Sequence, residues 1–199
     1  MKKEELKLVQ EWDKTFPKSD KVDHCKVTFV NRYGITLAAD MYVPKDAEGK
    51  LPAIAVSGPF GAVKEQCSGL YAQTMAERGF LTIAFDPSFT GESGGNVRYM
   101  ASPDINTEDF MAAVDFLSLN DRVDPERIGI IGICGWGGMA INTAALDTRI
   151  KAAAAMTMYD MTRVNAKGYF DSEDSEEERY AKQLERERLK AEKKNAKRV

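Results

Sequence analysis

The sequence predicts an α/β fold: an antiparallel N-terminal hairpin that leads into a mostly parallel sheet with helices on both faces. Three observations predict it. Val27 to Val43 is a run of β-type residues broken by one turn. From Leu51 to Ala155, short and wholly apolar runs alternate with helical stripes, the pattern of strands buried on both faces. Glycine stands at the helix-to-strand passage, as at Gly79, where a C-terminal cap is needed. A chain of 199 residues with 43% hydrophobic content is long enough for one sizeable core, so one domain with appendages is expected.

At the N-terminus, Leu6, Val9 and Trp12 recur at helical spacing among charges, which predicts a short amphipathic helix over 2–13 with a linker up to residue 22. Val27, Phe29, Thr36, Leu37, Ala39, Met41 and Val43 then predict two antiparallel strands ending at Pro44, with Asn31 to Gly34 as the hairpin turn. Pro52 to Val56 reads as a buried strand, 64–78 as a helix and Phe80 to Phe85 as the next strand. A Gly-rich loop follows from Asp86 to Gly95.

Phe110, Val114, Phe116 and Leu117 form a helical stripe over 107–119, with Asn106 and Thr107 placed as caps. Asp124 and Pro125 mark a turn, and Ile128 to Ile133 a fully buried strand. Cys134 to Gly138 and a helix through about Leu146 follow directly, and Ile150 to Ala155 is one more strand. From Glu173 to Val199, 17 of the 27 residues are charged, acids early and bases late. That order suits the helix dipole and supplies i to i+4 pairs, so a long solvated helix is expected there. The organisation is then 1–22, an amphipathic helix and linker; 23–172, the α/β domain; and 173–199, a charged helical tail.

A net charge of -3 gives no cationic field for nucleic acid. The opening Met1 to Glu5 has no apolar run behind it, so a secretory signal is not expected. No stretch approaches the roughly 18 to 20 apolar residues that span a bilayer. The cytoplasm is the expected compartment, without a membrane partner. Cys25, Cys67 and Cys134 are odd in number and form no CxxC pair, which argues against a disulfide framework or a zinc knuckle. No metal and no cofactor are expected. The Gly91 to Gly95 loop lacks the terminal Gly-Lys-Ser/Thr of a phosphate-binding loop.

A buried strand, a tight Gly-rich turn and a helix follow one another as the third such unit of the chain. Three stretches carry a resemblance in the right order and spacing: Asp86 to Gly95, Asp124 to Ile128, and Gly132 to Gly138, with Met158 to Arg163 adding to it. Over roughly 24–172 the chain resembles bacterial α/β-hydrolases of the dienelactone-hydrolase-like group. The resemblance implies hydrolysis of an ester, thioester or lactone carbonyl of a small acyl substrate, with no cofactor.

Two registers are open at the turn. Aligned on its glycines, Trp136 occupies the family's nucleophile position, and an indole cannot attack a carbonyl. Shifted, Cys134 becomes the nucleophile, preceded by Gly132, as in the Gly-x-Cys arrangement of dienelactone hydrolases; its bland alternative is a small buried residue that ends the strand. The resemblance also implies an oxyanion hole from the Phe60 amide, since Pro59 has no N–H, and the Gly137 amide. Asp160 is a candidate acid, with a capping or salt-bridged role as its alternative.

The resemblance implies a histidine after the acid. The one histidine of the chain, His24, precedes the first strand assigned here, and a structural role is expected for it. The last two strands of the fold are also missing from the pattern, so the domain reads as incomplete at its C-terminal end. Weak activity or none is expected. A non-catalytic binding or interaction protein on the same scaffold is the alternative, and a prolyl-type peptidase a weaker one. Strand 150–155 would then be an open sheet edge, through which self-association is expected.

Overall fold

The computed structural model describes residues 4–196. Its sheet has six strands: β1 (Val22–Val30), β2 (Thr36–Pro44), β3 (Leu51–Ser57), β4 (Leu81–Phe85), β5 (Val123–Ile133) and β6 (Ile150–Met156). Their order is β1-β2-β4-β3-β5-β6. β1 and β2 form the expected antiparallel hairpin, β2 pairs antiparallel with β4, and β4, β3, β5 and β6 run parallel. Helices α1 (Cys67–Ala76), α2 (Pro103–Ser118) and α3 (Gly135–Leu146) form the crossovers.

Alternation along the strands divides the apolar side chains between two cores. Leu37, Ala53, Ala55, Leu81, Ile83, Phe85, Ile128 and Ile130 pack with α2 and α3 on one face. Tyr42, Ile54, Val56, Ala84, Ile131 and Ile133 pack with Ala72 and Ala76 of α1 on the other. This is the α/β-hydrolase sheet, with helices on both faces and part of the fold's usual extent.

Three of the element boundaries that differ from the sequence expectation have a local reason. α1 begins at Cys67 rather than 64, because the Lys64 amide donates to Asp86 Oδ1 at 2.8 Å and is held out of the helix. α2 begins four residues early, with Pro103 in its first turn, where the fixed φ of proline is favourable and its missing N–H costs nothing. β5 extends back to Val123, which pairs with Leu51 ahead of a bulge.

The expected N-terminal helix is corrected. Residues 4–21 run without helix until β1 begins at Val22; residues 2 and 3 lie outside the described residues. The segment is a strap, and the backbone amides that a helix would use internally are taken by the domain. Val9 N donates to Glu92 Oε1 (2.6 Å), Ser19 N to Gln73 Oε1 (3.1 Å) and Thr15 N to the Glu65 carbonyl (2.9 Å). Phe16 is buried there, whereas Val9 of the presumed apolar stripe stays exposed.

The chain divides into two compact units, 1–158 and 159–199. The second contains α4 (Met161–Lys167), a short 3-10 turn (Tyr169–Asp171) and α5 (Glu176–Ala196). α5 is the expected charged helix, with Glu176 to Glu178 in its first turn and Arg188 paired to Glu185 and Glu192. Among the described residues, no helix is long and apolar enough to cross a membrane.

Candidate functional site

The apolar run of β5 ends at Ile133, and α3 begins at Gly135. One residue, Cys134, therefore makes the whole change of direction, and it does so at φ 59°, ψ −129°. A non-glycine residue there is strained by about 1–3 kcal/mol. The strain is held from both sides: Cys134 N donates to the Met156 carbonyl at the end of β6 (2.8 Å), and Gly137 N donates back to the Cys134 carbonyl (2.9 Å).

Two glycines let the surrounding backbone close on this turn. A Cβ on Gly132 would lie 2.1 Å from the Trp136 carbonyl oxygen and 2.7 Å from Ala140 Cβ, so α3 could not sit on β5 as closely as it does. Gly58, at φ 101°, would place a Cβ 2.4 Å from the Ile133 oxygen and 2.7 Å from Trp136 Cβ. The loop after β3 thus lies directly against the loop after β5, both at the C-terminal ends of parallel strands, where α/β sheets bind their ligands.

The change of direction falls at Cys134, and Trp136, the other residue that the sequence offered for the nucleophile's position, lies within α3. Trp136 lies inside the first turn of α3 and is 2% exposed. Its ring packs against Phe60 (5.9 Å between centroids), Phe110 (5.9 Å) and Phe85 (6.5 Å), as a wall rather than a reacting group. The Gly137 amide, the expected second half of the oxyanion hole, donates to the Cys134 carbonyl. The residue after Cys134 is Gly135, first in α3, where a backbone N–H has no acceptor within the helix.

Phe60 stays where the sequence placed it, in the loop after β3 and half-buried against Trp136. Cys134 itself is partly accessible. Asp160 lies in the second unit, where its Oδ1 accepts from Arg163 N at 3.0 Å at the head of α4. His24 is on β1, and its Nε2 is 2.8 Å from Asp40 Oδ1. β1 lies four strand spacings from β5, about 19 Å at the usual ~4.8 Å per strand, so His24 and Cys134 are not brought together.

Behind Phe60 stands a buried ion network that the sequence did not suggest. Lys64 Nζ is 2.9 Å from Asp86 Oδ2, 2.7 Å from Glu92 Oε2 and 2.5 Å from Glu65 Oε1. Burial works against the Lys64 charge, but the three carboxylates outweigh it and hold the ammonium well above the usual lysine range. Glu92 N also donates to Asp86 (2.9 Å). The same cluster continues through Lys26 to Glu65 and Glu92, and through Lys14 to Asp40. Burial raises the Asp40 carboxyl, yet His24, Lys14 and Lys26 pull it below its ordinary value. Among the described residues, no group of three or more His, Cys, Asp or Glu is placed to hold a metal ion.

A cleft of about 320 Å³ opens beside the turn, with Phe60, Val63, Pro87, Tyr99, Met100 and Trp136 among its walls. A second, apolar groove of about 480 Å³ runs along β3, β5 and β6 beside Met75 of α1. It lies toward the N-terminal ends of those strands, away from Cys134.

Comparison with known proteins agrees with this fold. The family model described as X-Pro dipeptidyl-peptidase (S15 family) matches residues 33–198. The uncharacterized protein PA2218 of Pseudomonas aeruginosa is 72% identical over 169 residues, which is 84% of this chain and 46% of that protein. Its crystal structure superposes with a TM-score of 0.91 at 66% identity, over 96% of this chain and 60% of that one. The thiohydrolase aneE of Aspergillus aculeatus is 33% identical over 128 residues, 64% of this chain and 39% of that protein. A putative dienelactone hydrolase of Klebsiella pneumoniae shares the fold, with a TM-score of 0.58 at 20% identity over 69% of this chain and 60% of that one. The chain spans about half the length of the curated bacterial relatives it matches.

Proposed function

The chain belongs to the family described as X-Pro dipeptidyl-peptidase (S15 family), one of the α/β-hydrolase families, and from that membership we propose that it carries the acyl-accepting half of a cysteine hydrolase site for ester or thioester carbonyls. The observation that carries this reading is the backbone of Cys134. A strained, partly accessible residue between a buried strand and a helix is how this fold presents a nucleophile.

The Cys134 thiol gives its proton to solvent as its sulfur attacks the carbonyl carbon, and the carbonyl electron pair moves onto oxygen. The Gly135 and Phe60 amides donate to that oxyanion. Collapse breaks the bond to the leaving alkoxide or thiolate, which takes a proton, and leaves a thioester on Cys134. Water attacks that thioester, releasing the carboxylic acid and restoring the thiol. The name of the thiohydrolase relative supports a thioester or ester over a peptide bond.

A positioned general base ordinarily contributes about 10²- to 10⁴-fold, and His24, held by Asp40, does not supply it. Slow turnover follows. The same observation favours a second reading, a non-catalytic binding or interaction protein on the hydrolase scaffold. Hydrolysis of p-nitrophenyl acetate and butyrate, with Cys134→Ala and with mass mapping of iodoacetamide adducts, separates the two. Turnover that disappears in Cys134→Ala establishes the cysteine hydrolase; no turnover, with Cys134 unlabelled in the folded protein, establishes the second reading.

A further inference from the structure

The cleft beside the turn has a chemistry of its own. The described residues that line it include no charged side chain, and the hydroxyls among them belong to Thr90 and Tyr99. The charges flanking it are already engaged. Lys64, directly after Val63, is enclosed by Glu65, Asp86 and Glu92. Arg98, directly before Tyr99, donates to the Gly91, Ser93 and Gly94 carbonyls. Neither side chain is among the cleft's lining residues.

The rim is held in an unusual conformation. Tyr99 is 90% exposed and has φ 58°, and Phe89, whose carbonyl accepts from Tyr99 N at 2.9 Å, has φ 73°. Two left-handed non-glycine residues lie in one loop pinned by Arg98, and Tyr99 shares the cleft's lining with Phe60 and Trp136. A volume of about 320 Å³ is at the small end for ligand pockets, roughly 300 to 1,000 Å³. It accommodates one aromatic ring and its linking carbon.

We infer that this cleft selects compact, uncharged aromatic acyl groups, with Tyr99 as a specificity-determining rim residue, and rejects the charged amino terminus of a dipeptide. The inference rests on the reading of Cys134 as acyl acceptor and gives that site its substrate class. It departs from the dipeptide in the family's description, because an ammonium in these walls would be desolvated without a partner.

Saturation-transfer NMR on the intact chain tests it with three probes: phenylacetamide, phenylacetate and the dipeptide Ala-Pro. Phenylacetamide is expected to bind at least about tenfold more tightly than either charged probe. Tyr99→Ala should weaken it about fivefold, and Thr90→Lys should shift the preference toward phenylacetate. Equal binding of Ala-Pro, no binding of phenylacetamide, or a preference unmoved by Thr90→Lys overturns the inference. Phenylacetamide binding should persist in Cys134→Ala, so a failed nucleophile and a failed cleft give different results.

Discussion

One carboxylate clamps both ends of Lys64: Asp86 Oδ1 accepts the Lys64 amide at 2.8 Å while Asp86 Oδ2 lies 2.9 Å from its ammonium. Lys64 closes the loop that carries Phe60, so this pair fixes the backbone on which half of the candidate oxyanion hole depends. Asp86→Asn keeps the shape and removes the charge. It should destabilise the protein by about 3 kcal/mol, because Lys64 remains buried with one of its three carboxylates, the fully buried one, gone. Urea unfolding measures this, and a loss below about 0.5 kcal/mol would show that Glu65 and Glu92 alone satisfy Lys64.

The strain at Cys134 makes stability and chemistry separable. Glycine adopts φ 59° without the steric penalty, whereas alanine does not. Cys134→Gly should therefore be about 1 kcal/mol more stable than Cys134→Ala, while both lack the thiol and any turnover that depends on it. Thermal melts of the two variants side by side are the check; equal stabilities would mean that the turn is not strained in solution.

Acid should unfold the strap side of the domain first. Asp13, Asp40 and Glu92 are all held below their ordinary values: burial opposes this in each, and Lys14, Lys26, Lys64 or His24 outweigh it. For a carboxyl with a depressed folded value, the unfolded chain binds the proton first. Its stabilisation is complete above the unfolded value near 4 and is lost as pH falls through the folded one. Melting temperature should thus be flat from neutral pH down to about 5 and fall steeply below about 4. Asp40→Asn should make that fall shallower.

β6 ends the sheet, and its side chains from Lys151 to Ala155 are exposed. We propose that copies of the chain associate through this edge, since an open strand of small residues is a template for pairing. Light scattering should show a dimer or larger species at micromolar concentration. Ala153→Lys, a charge on the edge, should shift it toward monomer, and an unchanged distribution would place any association elsewhere.

Most of the sheet was legible because parallel strands buried on both faces leave apolar runs that little else produces. Pro52 to Val56, Phe80 to Phe85 and Ile128 to Ile133 each lie on or within about one residue of an observed strand. The strap was misread because Leu6, Val9 and Trp12 carry a genuine helical period, while the acceptors that override it, Glu92, Gln73 and Glu65, lie 83, 54 and 50 residues away. At the turn, the glycines around Trp136 allowed two registers, and nothing in the sequence marks Cys134 as the residue that takes a positive φ. Lys64 and Asp86 gave no local sign, since nothing in either neighbourhood marks a charge as buried.

The strap has a consequence for where this domain can be said to begin. A chain starting at Val22 would keep every strand and helix of the sheet, yet it would lose Lys14, whose side chain is wholly buried and 3.1 Å from Asp40. It would also lose the Phe16 ring, which lies 3.0 Å from where a Cβ on Gly69 would fall. The interior would then contain an acidic pocket with one fewer cation and a bare helix face. Lys14 and Phe16 are a fixed lining in the folded protein, so any shorter version should begin upstream of Trp12.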